Sequence, residues 1–401
     1  MNKKRKYYLI SLITGLVILT SWFFYREPIA EPLPTKSSIG KVITAFPDQL
    51  NQKQLLPEIT IALKKETQLM TIIEKMTLAE KIGQLFLARV PESNALADLT
   101  TYHLGGYLLF SRDIAEETPE SLTKKIATFQ KKAKFPLFIA ADEEGGTVSR
   151  LSYEPGFLKQ PFPSPQVLYN KDGLTSIKKD WRAKAETLHS LGISLPLAPV
   201  ADVSTDPKAF IYSRTLGKDV RTTTNYIQEV VTLMSELQLG STLKHFPGYG
   251  DNRDSHLEIV RDRRTKAELE ADSLPPFKAG IKAGTDSILI SHNIVEAYDK
   301  KQPASISPNV YQLLRDDLGF EGVIMTDDFD MLGLKEFTSQ EAAAVTAIKS
   351  GADLILSSSY SQQIPAVIKS VEKKEITEGQ IDQHVLRVLK LKEKLGLLSL
   401  D

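Results

Sequence analysis

The sequence predicts an α/β protein in which eight parallel strands close into a (β/α)8 barrel of the TIM type. Short apolar runs that are typical of buried strands alternate with longer amphipathic stretches that are typical of helices, and this unit recurs along the chain. The sequence contains no Gly-x-Gly-x-x-Gly run. A doubly wound open sheet is the structural alternative, but eight alternating units without that motif favour the closed barrel.

The predicted strands are short and rich in apolar residues. In chain order they are residues 84–88, 106–110, 137–141, 194–200, 241–243, 287–290, 323–325 and 353–356. The amphipathic stretches between them are residues 118–133, 174–191, 219–238, 265–283, 307–317, 339–350 and 361–374, and a closing helix is predicted at 381–397. Because the sequence stops just after this helix, we expect a single domain with no second domain behind it.

The N-terminus has the pattern of a membrane anchor. A basic run at residues 3–6 precedes an uncharged apolar run at residues 7–25. Nineteen helical residues span roughly 28 Å, which is close to the hydrocarbon thickness of a bilayer. The basic flank predicts a cytoplasmic N-terminus and an external body. We expect an uncleaved signal anchor in residues 1–26, because the best candidate cleavage site, residues 28–30, begins with a misplaced proline; cleavage and secretion are the alternative.

A linker and an N-terminal extension are predicted in residues 27–67. Residues 27–40 are rich in proline and serine, which predicts an extended tether. Residues 41–67 carry apolar groups that fit either a helix docked on the domain or a loose segment near the membrane, and the sequence does not decide between them. The barrel domain is predicted to fill residues 68–401, opening with a helix capping box at residues 77–80.

Composition excludes several classes of function. Apolar residues make up 42% of the 401-residue chain and charged residues 25%, which is typical of a globular protein. The formal net charge is zero and the body of the chain has no basic tract, so nucleic-acid binding is not expected. The absence of cysteine excludes disulfides, thiolate metal sites and a cysteine nucleophile.

The chain is organised around the run KHFPGYGDNRDSH at residues 244–256. Proline and glycine break regular structure, so the polar groups are expected on a loop at the C-terminal end of a strand. Asp254 and His256 are two residues apart and point the same way in extended backbone. A carboxylate beside an imidazole can fix its tautomer and tune its basicity, which suits a group that donates and accepts protons. From spacing alone, a solvated loop with two incidental polar residues is the alternative.

Other polar residues collect where the predicted strands end, which is where such barrels carry their active sites. Asp142, Glu143, Glu144 and Arg150 follow the third strand, Asp202 and Arg214 the fourth, His292 the sixth, and Asp327 and Asp328 the seventh, while Lys244 and His245 end the fifth. A buried Lys-His pair needs a substrate or a carboxylate as its partner. Structural roles are the alternative at each place: a surface turn for the first acids, a loop cap for Asp202, a core histidine for His245 and helix caps for Asp327 and Asp328.

The run at residues 244–256 resembles the signature of glycoside hydrolase family 3, in its β-N-acetylglucosaminidase branch. The segment TDDFDM at residues 326–331 resembles the family's S-D-D-[LF]-x-M segment, with threonine for serine. The resemblance covers residues from about 68 to 400. Two positions depart from it: many members have histidine where Tyr249 stands and glutamine where Glu143 stands. We expect the first departure to affect the loop more than the chemistry.

The resemblance implies a retaining β-N-acetylglucosaminidase with a covalent glycosyl-enzyme intermediate. It assigns the nucleophile to Asp327 and the acid/base work to His256 supported by Asp254. Asp328 is expected to orient the nucleophile or to bind neighbouring backbone. The resemblance implies substrate contacts from Asp142, Arg214, Lys244, His245 and His292. It implies neither a cofactor nor a metal, and no histidine spacing resembles a zinc site.

An external enzyme of this kind would act on GlcNAc-containing peptidoglycan fragments or muropeptides, and we expect a monomer held in the cell membrane by its N-terminal helix. Three other functions stay open. One is a family 3 β-glucosidase or β-xylosidase. Another is a GlcNAc phosphorylase, because a histidine repels phosphate less than a carboxylate does. The third belongs to a different class, a wall-sugar-binding module that has lost catalysis.

Overall fold

A computed structural model describes residues 52–255 and 258–400, with side chains from residue 60 onward. The predicted anchor in residues 1–26, the tether and His256 lie outside the described residues. Within the described part of the chain, no helix is long and apolar enough to cross a membrane. The anchor and the placement of the body outside the cell therefore stay predictions.

The chain consists of two compact units, and the boundary between them lies between Ile72 and Ile73. The first contains most of helix α1 (Gln52–Glu74), so residues 52–67 of the predicted extension are helical. The second unit runs from Ile73 to Ser399 and contains every strand described below. It opens with the predicted capping box, in which Thr77 accepts from the Glu80 amide and the Glu80 carboxylate accepts from the Thr77 amide.

The second unit is built on two parallel sheets. Its strands are β1 (Phe86–Arg89), β2 (Gly106–Leu109), β3 (Phe138–Ala141), β4 (Glu143–Gly145), β5 (Val148–Ser149), β6 (Leu195–Pro196), β7 (Thr242–Phe246), β8 (Arg261–Asp262), β9 (Ser287–Ile290), β10 (Ile294–Val295), β11 (Val323–Thr326) and β12 (Ile355–Ser357). One sheet has the order β12-β1-β2-β3-β6 and the other β11-β9-β7, while β4-β5 and β10-β8 form small separate pairs. All eight predicted strands are present, which confirms an α/β fold with parallel sheets.

Isolated bridges connect the edges of the two sheets. Val200, just beyond β6, pairs in parallel with Lys244 of β7, and Met325 of β11 pairs in parallel with Leu354, just before β12. The strands of both sheets are almost entirely buried, which explains why they read as continuous apolar runs instead of alternating ones.

Helices separate the strands along the chain. They are α2 (Leu78–Gly83), α3 (Ala95–Thr101), α4 (Ser111–Ile114), α5 (Pro119–Lys132), α6 (Pro165–Leu191), α7 (Val220–Glu236), α8 (Lys266–Asp272), α9 (Leu274–Ala283), α10 (Pro308–Gln312), α11 (Leu332–Lys335), α12 (Gln340–Ser350), α13 (Tyr360–Glu372) and α14 (Glu378–Lys394). The stretch predicted as one helix at 265–283 breaks at Ser273, which ends α8 and precedes the two prolines of α9. The stretch at 307–317 continues from α10 as one π-helical turn.

Strand β7 is longer than the sequence predicted. It runs through Phe246, so Lys244 and His245, which were expected at its end, lie within the strand, and the loop begins at Pro247. Pairing with β9 extends the strand, since Leu243 faces Ile288 and Lys244 faces Leu289. The register shifts between Lys244 and Phe246, and the Lys244–His245 and Phe246–Pro247 peptide bonds are cis.

Candidate active site

Charged and polar side chains meet at the C-terminal ends of the parallel strands. The strands place there Arg89 at the end of β1, Asp142 after β3, Asp202 after β6, Lys244 and His245 in β7, His292 after β9, and Asp327 and Asp328 after β11. Parallel strands end on the same side of a sheet, so residues far apart in sequence come into contact there.

A buried charge cluster forms where β3 and β7 end. The Nζ of Lys244 lies 2.8 Å from Oδ1 of Asp142 and 2.5 Å from Oε1 of Glu144. Arg214 reaches the same Glu144 carboxylate with two nitrogens, Nε at 3.0 Å and Nη2 at 2.7 Å. The side chains of Lys244 and Glu144 are only 2% and 1% exposed. Both carboxylates are therefore held in fixed positions by cations, as a site that binds polar groups directionally requires.

These ion pairs keep both carboxyl groups charged. Burial alone would raise the pKa of Asp142, but the cations of Lys244 and Arg150 outweigh it and hold that pKa well below its usual range. Burial also opposes ionisation of Glu144, yet Arg214 and Lys244 lower its pKa to about 2. Glu144 in turn raises the pKa of the Arg214 guanidinium above its ordinary value, although burial opposes this rise. At neutral pH, both carboxyl groups and the Arg214 guanidinium are therefore charged.

The ring of Phe110 contacts two arginines, one that binds Asp142 of the cluster and one at the end of β1. Nη2 of Arg150 lies 2.6 Å from Oδ2 of Asp142, and its guanidinium carbon lies 5.0 Å from the centre of the Phe110 ring. The guanidinium carbon of Arg89 lies 4.7 Å from the centre of the same ring. Cations are attracted to the electron-rich faces of aromatic rings, so Phe110 helps to orient both arginines.

Arg89 also forms an ion pair with Asp328, one of the two acids after β11. Its Nε and Nη2 each lie 2.6 Å from Oδ2 of Asp328, whose other oxygen accepts from the Asp330 amide at 2.9 Å. The Asp328 amide donates to Oδ1 of Asp327 at 2.8 Å. Burial raises the pKa of Asp328, and Arg89 opposes this rise. Asp327 is less buried than Asp328, so of the two acids it is the one with surface left for a ligand.

His292 is buried between β9 and β11. Its Nε2 lies 2.9 Å from the carbonyl oxygen of Asp328, and its Nδ1 lies 2.7 Å from Oγ of Ser305. A carbonyl oxygen only accepts, so Nε2 carries the proton and donates to Asp328. His292 therefore helps to fix the backbone beside the two acids, a contact that sequence reasoning did not foresee.

His245 is held by Asp202. Oδ2 of Asp202 accepts from the His245 amide at 3.0 Å and lies 2.7 Å from its Nδ1. The other ring nitrogen, Nε2, lies 3.2 Å from Nη2 of Arg214, which can only donate. This pattern fits a neutral imidazole that carries its proton on Nδ1 and accepts from the arginine. Asp202 is more than a loop cap, because it orients a strand residue in the cluster.

The loop after β7 carries Asp254. Asp202 anchors its start by accepting from the Tyr249 amide at 2.6 Å, and Nη2 of Arg264 donates to the Gly248 carbonyl at 2.6 Å. Burial raises the pKa of Tyr249 to about 12, hydrogen bonds with Ser255 oppose the rise, and the negative charges of Asp327 and Asp254 add to it. The Tyr249 phenol is thus within electrostatic range of both carboxylates. His256 lies outside the described residues, so its position relative to Asp254 stays a prediction.

Sequence reasoning underestimated the role of one residue in the cluster and missed two others. Glu144 was named only as part of an acidic turn, yet it pairs with both cations of the cluster. Arg89 and Phe110 were missed; Arg89 directly follows a predicted strand, so the same rule for polar residues would have found it, whereas Phe110 is apolar. Glu143 is fully buried and accepts from the amides of Arg150 and Leu151, so it holds the β4–β5 turn and does not line the site.

Comparisons with known proteins identify the family of the chain. A model of the glycosyl hydrolase family 3 N-terminal domain matches residues 77–391. Beta-hexosaminidase A of Pseudoalteromonas piscicida is 30% identical over 334 residues, which are 76% of this chain and 55% of that protein. Beta-hexosaminidase of Haemophilus influenzae is 33% identical over 285 residues, which are 69% of this chain and 78% of that protein.

Solved structures with a similar fold carry related names. The structure of a glycoside hydrolase family 3 beta-N-acetylglucosaminidase from Paenibacillus has a TM-score of 0.75 and 30% identity, over 80% of this chain and 63% of that one. That of beta-N-acetylhexosaminidase from Beutenbergia cavernae has a TM-score of 0.71 and 27% identity, over 80% and 99%. The chain spans less than two thirds of the Pseudoalteromonas and Paenibacillus proteins. The family model covers most of the chain, so the prediction of the glycoside hydrolase family is confirmed, and the chain belongs to glycosyl hydrolase family 3.

Proposed function

We propose that the chain is a retaining β-N-acetylglucosaminidase. The observation that carries this proposal is the half-buried carboxylate of Asp327, which the Asp328 amide holds at the C-terminal ends of the strands that also carry the cluster of fixed charges. Relatives named beta-hexosaminidase and a beta-N-acetylglucosaminidase structure at 30% identity support the choice of sugar.

In the proposed mechanism, Asp327 attacks the anomeric carbon and forms a covalent glycosyl-enzyme. The bond from that carbon to the leaving oxygen breaks, and His256, supported by Asp254, gives this oxygen its proton. His256 then removes a proton from the incoming water, which attacks the anomeric carbon and releases Asp327. Two displacements at one carbon give a product of retained β configuration.

The charge cluster is proposed to hold the sugar. Asp142 and Glu144 supply acceptors for sugar hydroxyls, while Lys244 and Arg214 supply donors. All four are already locked in ion pairs, so little side-chain entropy is lost when a sugar binds. His245 is held on both sides and can orient Arg214, and His292 steadies the backbone of Asp328. No cofactor or metal has a part in this mechanism.

We also propose that the eight main strands close into the predicted (β/α)8 barrel. The bridges Val200–Lys244 and Met325–Leu354 support closure, because each connects one edge of the five-stranded sheet to an edge of the three-stranded sheet. In such a barrel the loops at the C-terminal ends of the strands surround a single site.

The proposed substrates are peptidoglycan fragments or muropeptides with a terminal β-linked GlcNAc, met by a monomer anchored in the cell membrane. The basic and apolar pattern of residues 1–26 supports the external location. Liberation of GlcNAc from GlcNAc-MurNAc fragments, and recovery of the full-length chain with membranes, are the two measurements that test this part.

The decisive experiment compares the full chain with Asp327→Asn on aryl β-N-acetylglucosaminides and on the matching β-glucosides. We expect release of β-configured GlcNAc by the parent and a loss of at least about a thousandfold in kcat for Asp327→Asn, since the variant lacks the anionic nucleophile. Asp272→Asn, an exposed aspartate on α8, is the matched control and should retain parental activity.

Other outcomes would favour the alternative functions. Faster turnover of the glucoside would indicate a β-glucosidase, and a sugar phosphate as the main product in phosphate buffer would indicate a phosphorylase. An Asp327→Asn variant as active as the parent would contradict the assigned nucleophile. A folded parent that binds GlcNAc without turning over any of these glycosides would indicate a binding module.

A further inference from the structure

Tyr249 ties together two ends of the loop that carries Asp254. Its phenolic hydroxyl donates to Oγ of Ser255 at 2.9 Å and accepts from the Ser255 amide at 2.6 Å. Its own amide donates to Oδ1 of Asp202 at 2.6 Å. Tyr249 is 2% exposed and Ser255 is fully buried, so these bonds do not compete with water. The connection runs from the Asp202–His245 pair to the residue next to Asp254.

The other side of Ser255 leaves little room for movement. A Cβ added to Gly333 of α11 would lie 2.7 Å from the Ser255 carbonyl oxygen and 2.8 Å from that of Glu258. The backbone around Ser255 is therefore held between the Tyr249 hydroxyl on one side and α11 on the other. Gly333 is six residues beyond Asp327, so the same short segment of chain supports the loop and carries the proposed nucleophile.

We propose that Tyr249 is a positioning residue for the acid/base step, fixing Asp254 through the backbone of Ser255. This inference rests on the proposed function, in which Asp254 supports the group that protonates the leaving oxygen. Tyr249 touches no reacting atom in this scheme. Its hydroxyl is both a donor and an acceptor towards one residue, a role that the ring of phenylalanine cannot perform.

A positioning role of this kind has a specific kinetic signature. Glycosides with poor leaving groups need protonation of the departing oxygen, whereas a dinitrophenolate leaves without it. A misplaced acid therefore lowers kcat/KM for the first class and spares it for the second, because kcat/KM covers the steps up to departure of the aglycone. A general loss of folded enzyme would lower both values by the same factor.

The test measures kcat/KM of the full chain and of Tyr249→Phe on 4-methylumbelliferyl and 2,4-dinitrophenyl β-N-acetylglucosaminides. We expect a loss of about tenfold or more on the first substrate, a fraction of the usual contribution of acid catalysis, and less than about threefold on the second. Tyr107→Phe is the matched control: it also removes a buried phenol, here one that donates to the Ala95 carbonyl at 2.7 Å. It should show no difference between the two substrates.

Two further variants keep the test decisive. Ser255→Ala removes only the hydroxyl that accepts from Tyr249, so it replaces Tyr249→Phe if that variant does not fold. Gly333→Ala disturbs the same backbone from the opposite side and should reproduce the leaving-group dependence.

Equal losses on both substrates, or no loss on either, would overturn the proposal. The proposed function would survive that result as long as Asp327→Asn loses activity. Failure of the proposed function would be recognised separately, because the parent itself would then turn over neither glycoside, and the proposed role of Tyr249 would fail with it.

Discussion

Lys244 lies between two carboxylates that would repel each other without it. Its Nζ is in contact with both Asp142 and Glu144, which lie 102 and 100 residues before it in the sequence. Removing one partner from a buried ion pair leaves the other charge uncompensated. At this site the interaction that stabilises the fold also holds the groups that are proposed to bind the sugar, so a substitution should affect both.

Lys244→Met should lower the free energy of unfolding at pH 7 by about 3–5 kcal/mol. The folded-state pKa of Glu144 is lowered from 4.5 to about 2, so its ionisation stabilises the fold above pH 4.5 and loses that effect as pH falls towards 2. The difference between parent and variant should therefore be largest at neutral pH and smaller near pH 3. Denaturant unfolding of both proteins at the two pH values measures it.

Lys178→Met is the control for this comparison. Lys178 pairs with Glu229 at 2.5 Å, but both side chains are more than one third exposed. Exposed pairs contribute about 0–1 kcal/mol, so this variant should stay within that range. A difference between Lys244→Met and the parent that grows towards low pH would contradict the assigned ionisation states.

At the scale of elements, short motifs fix where helices begin. Thr77 and Glu80 form the capping box that the sequence predicted, and α2 begins at the next residue, Leu78. The box matters beyond its own helix, because Gln84 directly after α2 leads into β1. Loss of the cap should loosen the entry of the chain into the first strand.

Thr77→Ala should destabilise the protein by about 1 kcal/mol, since the Glu80 amide loses its acceptor. Thr128→Ala is the matched control. Thr128 lies on the exposed face of α5, where its hydroxyl bonds back to the Lys124 carbonyl, and alanine is the better helix former. Thermal unfolding of the two variants should show a lower midpoint for Thr77→Ala only; equal midpoints would show that the box contributes nothing.

At the scale of the whole second unit, the two ends of the parallel strands differ in chemistry. The C-terminal ends carry the candidate site, and the N-terminal ends carry buried polar contacts with the closing helix α14. Nζ of Lys392 on α14 lies 2.6 Å from Oε1 of Gln84, just before β1, and 5.1 Å from the ring centre of Phe138 in β3. Lys392 is completely buried. Burial lowers its pKa to about 7.

Stability should rise with pH because of Lys392. Between about pH 7 and 10.5 the unfolded chain binds a proton that the folded state lacks, so the free energy of unfolding increases across that window. Lys392→Met should remove this contribution, which is at most about 1.4 kcal/mol per pH unit. Chemical denaturation of parent and variant at pH 7, 8 and 9 measures the difference in slope. Lys124→Met, an exposed lysine on α5, should keep the parental slope, and a parental slope in Lys392→Met would show that the amine is charged in the fold.

Local sequence determined most of the elements. Apolar runs, amphipathic periods and cap residues depend on neighbours in the chain, so the eight strands and the main helices were predictable to within a few residues. The rule that polar residues at strand ends form a site also predicted Asp142, Lys244, His245 and Asp327 as members of it. The family resemblance added proposed roles to these positions.

Only the tertiary structure decided which of these side chains meet. Glu144 joins Lys244 and Arg214 across 100 and 70 residues of sequence, and Arg89 joins Asp328 across 239. The length of β7 and the contact of His292 with the Asp328 backbone likewise depend on neighbouring strands. Pairings of this kind arise because parallel strands bring distant segments to one edge, where hydrogen-bond geometry and burial select partners that local sequence does not encode.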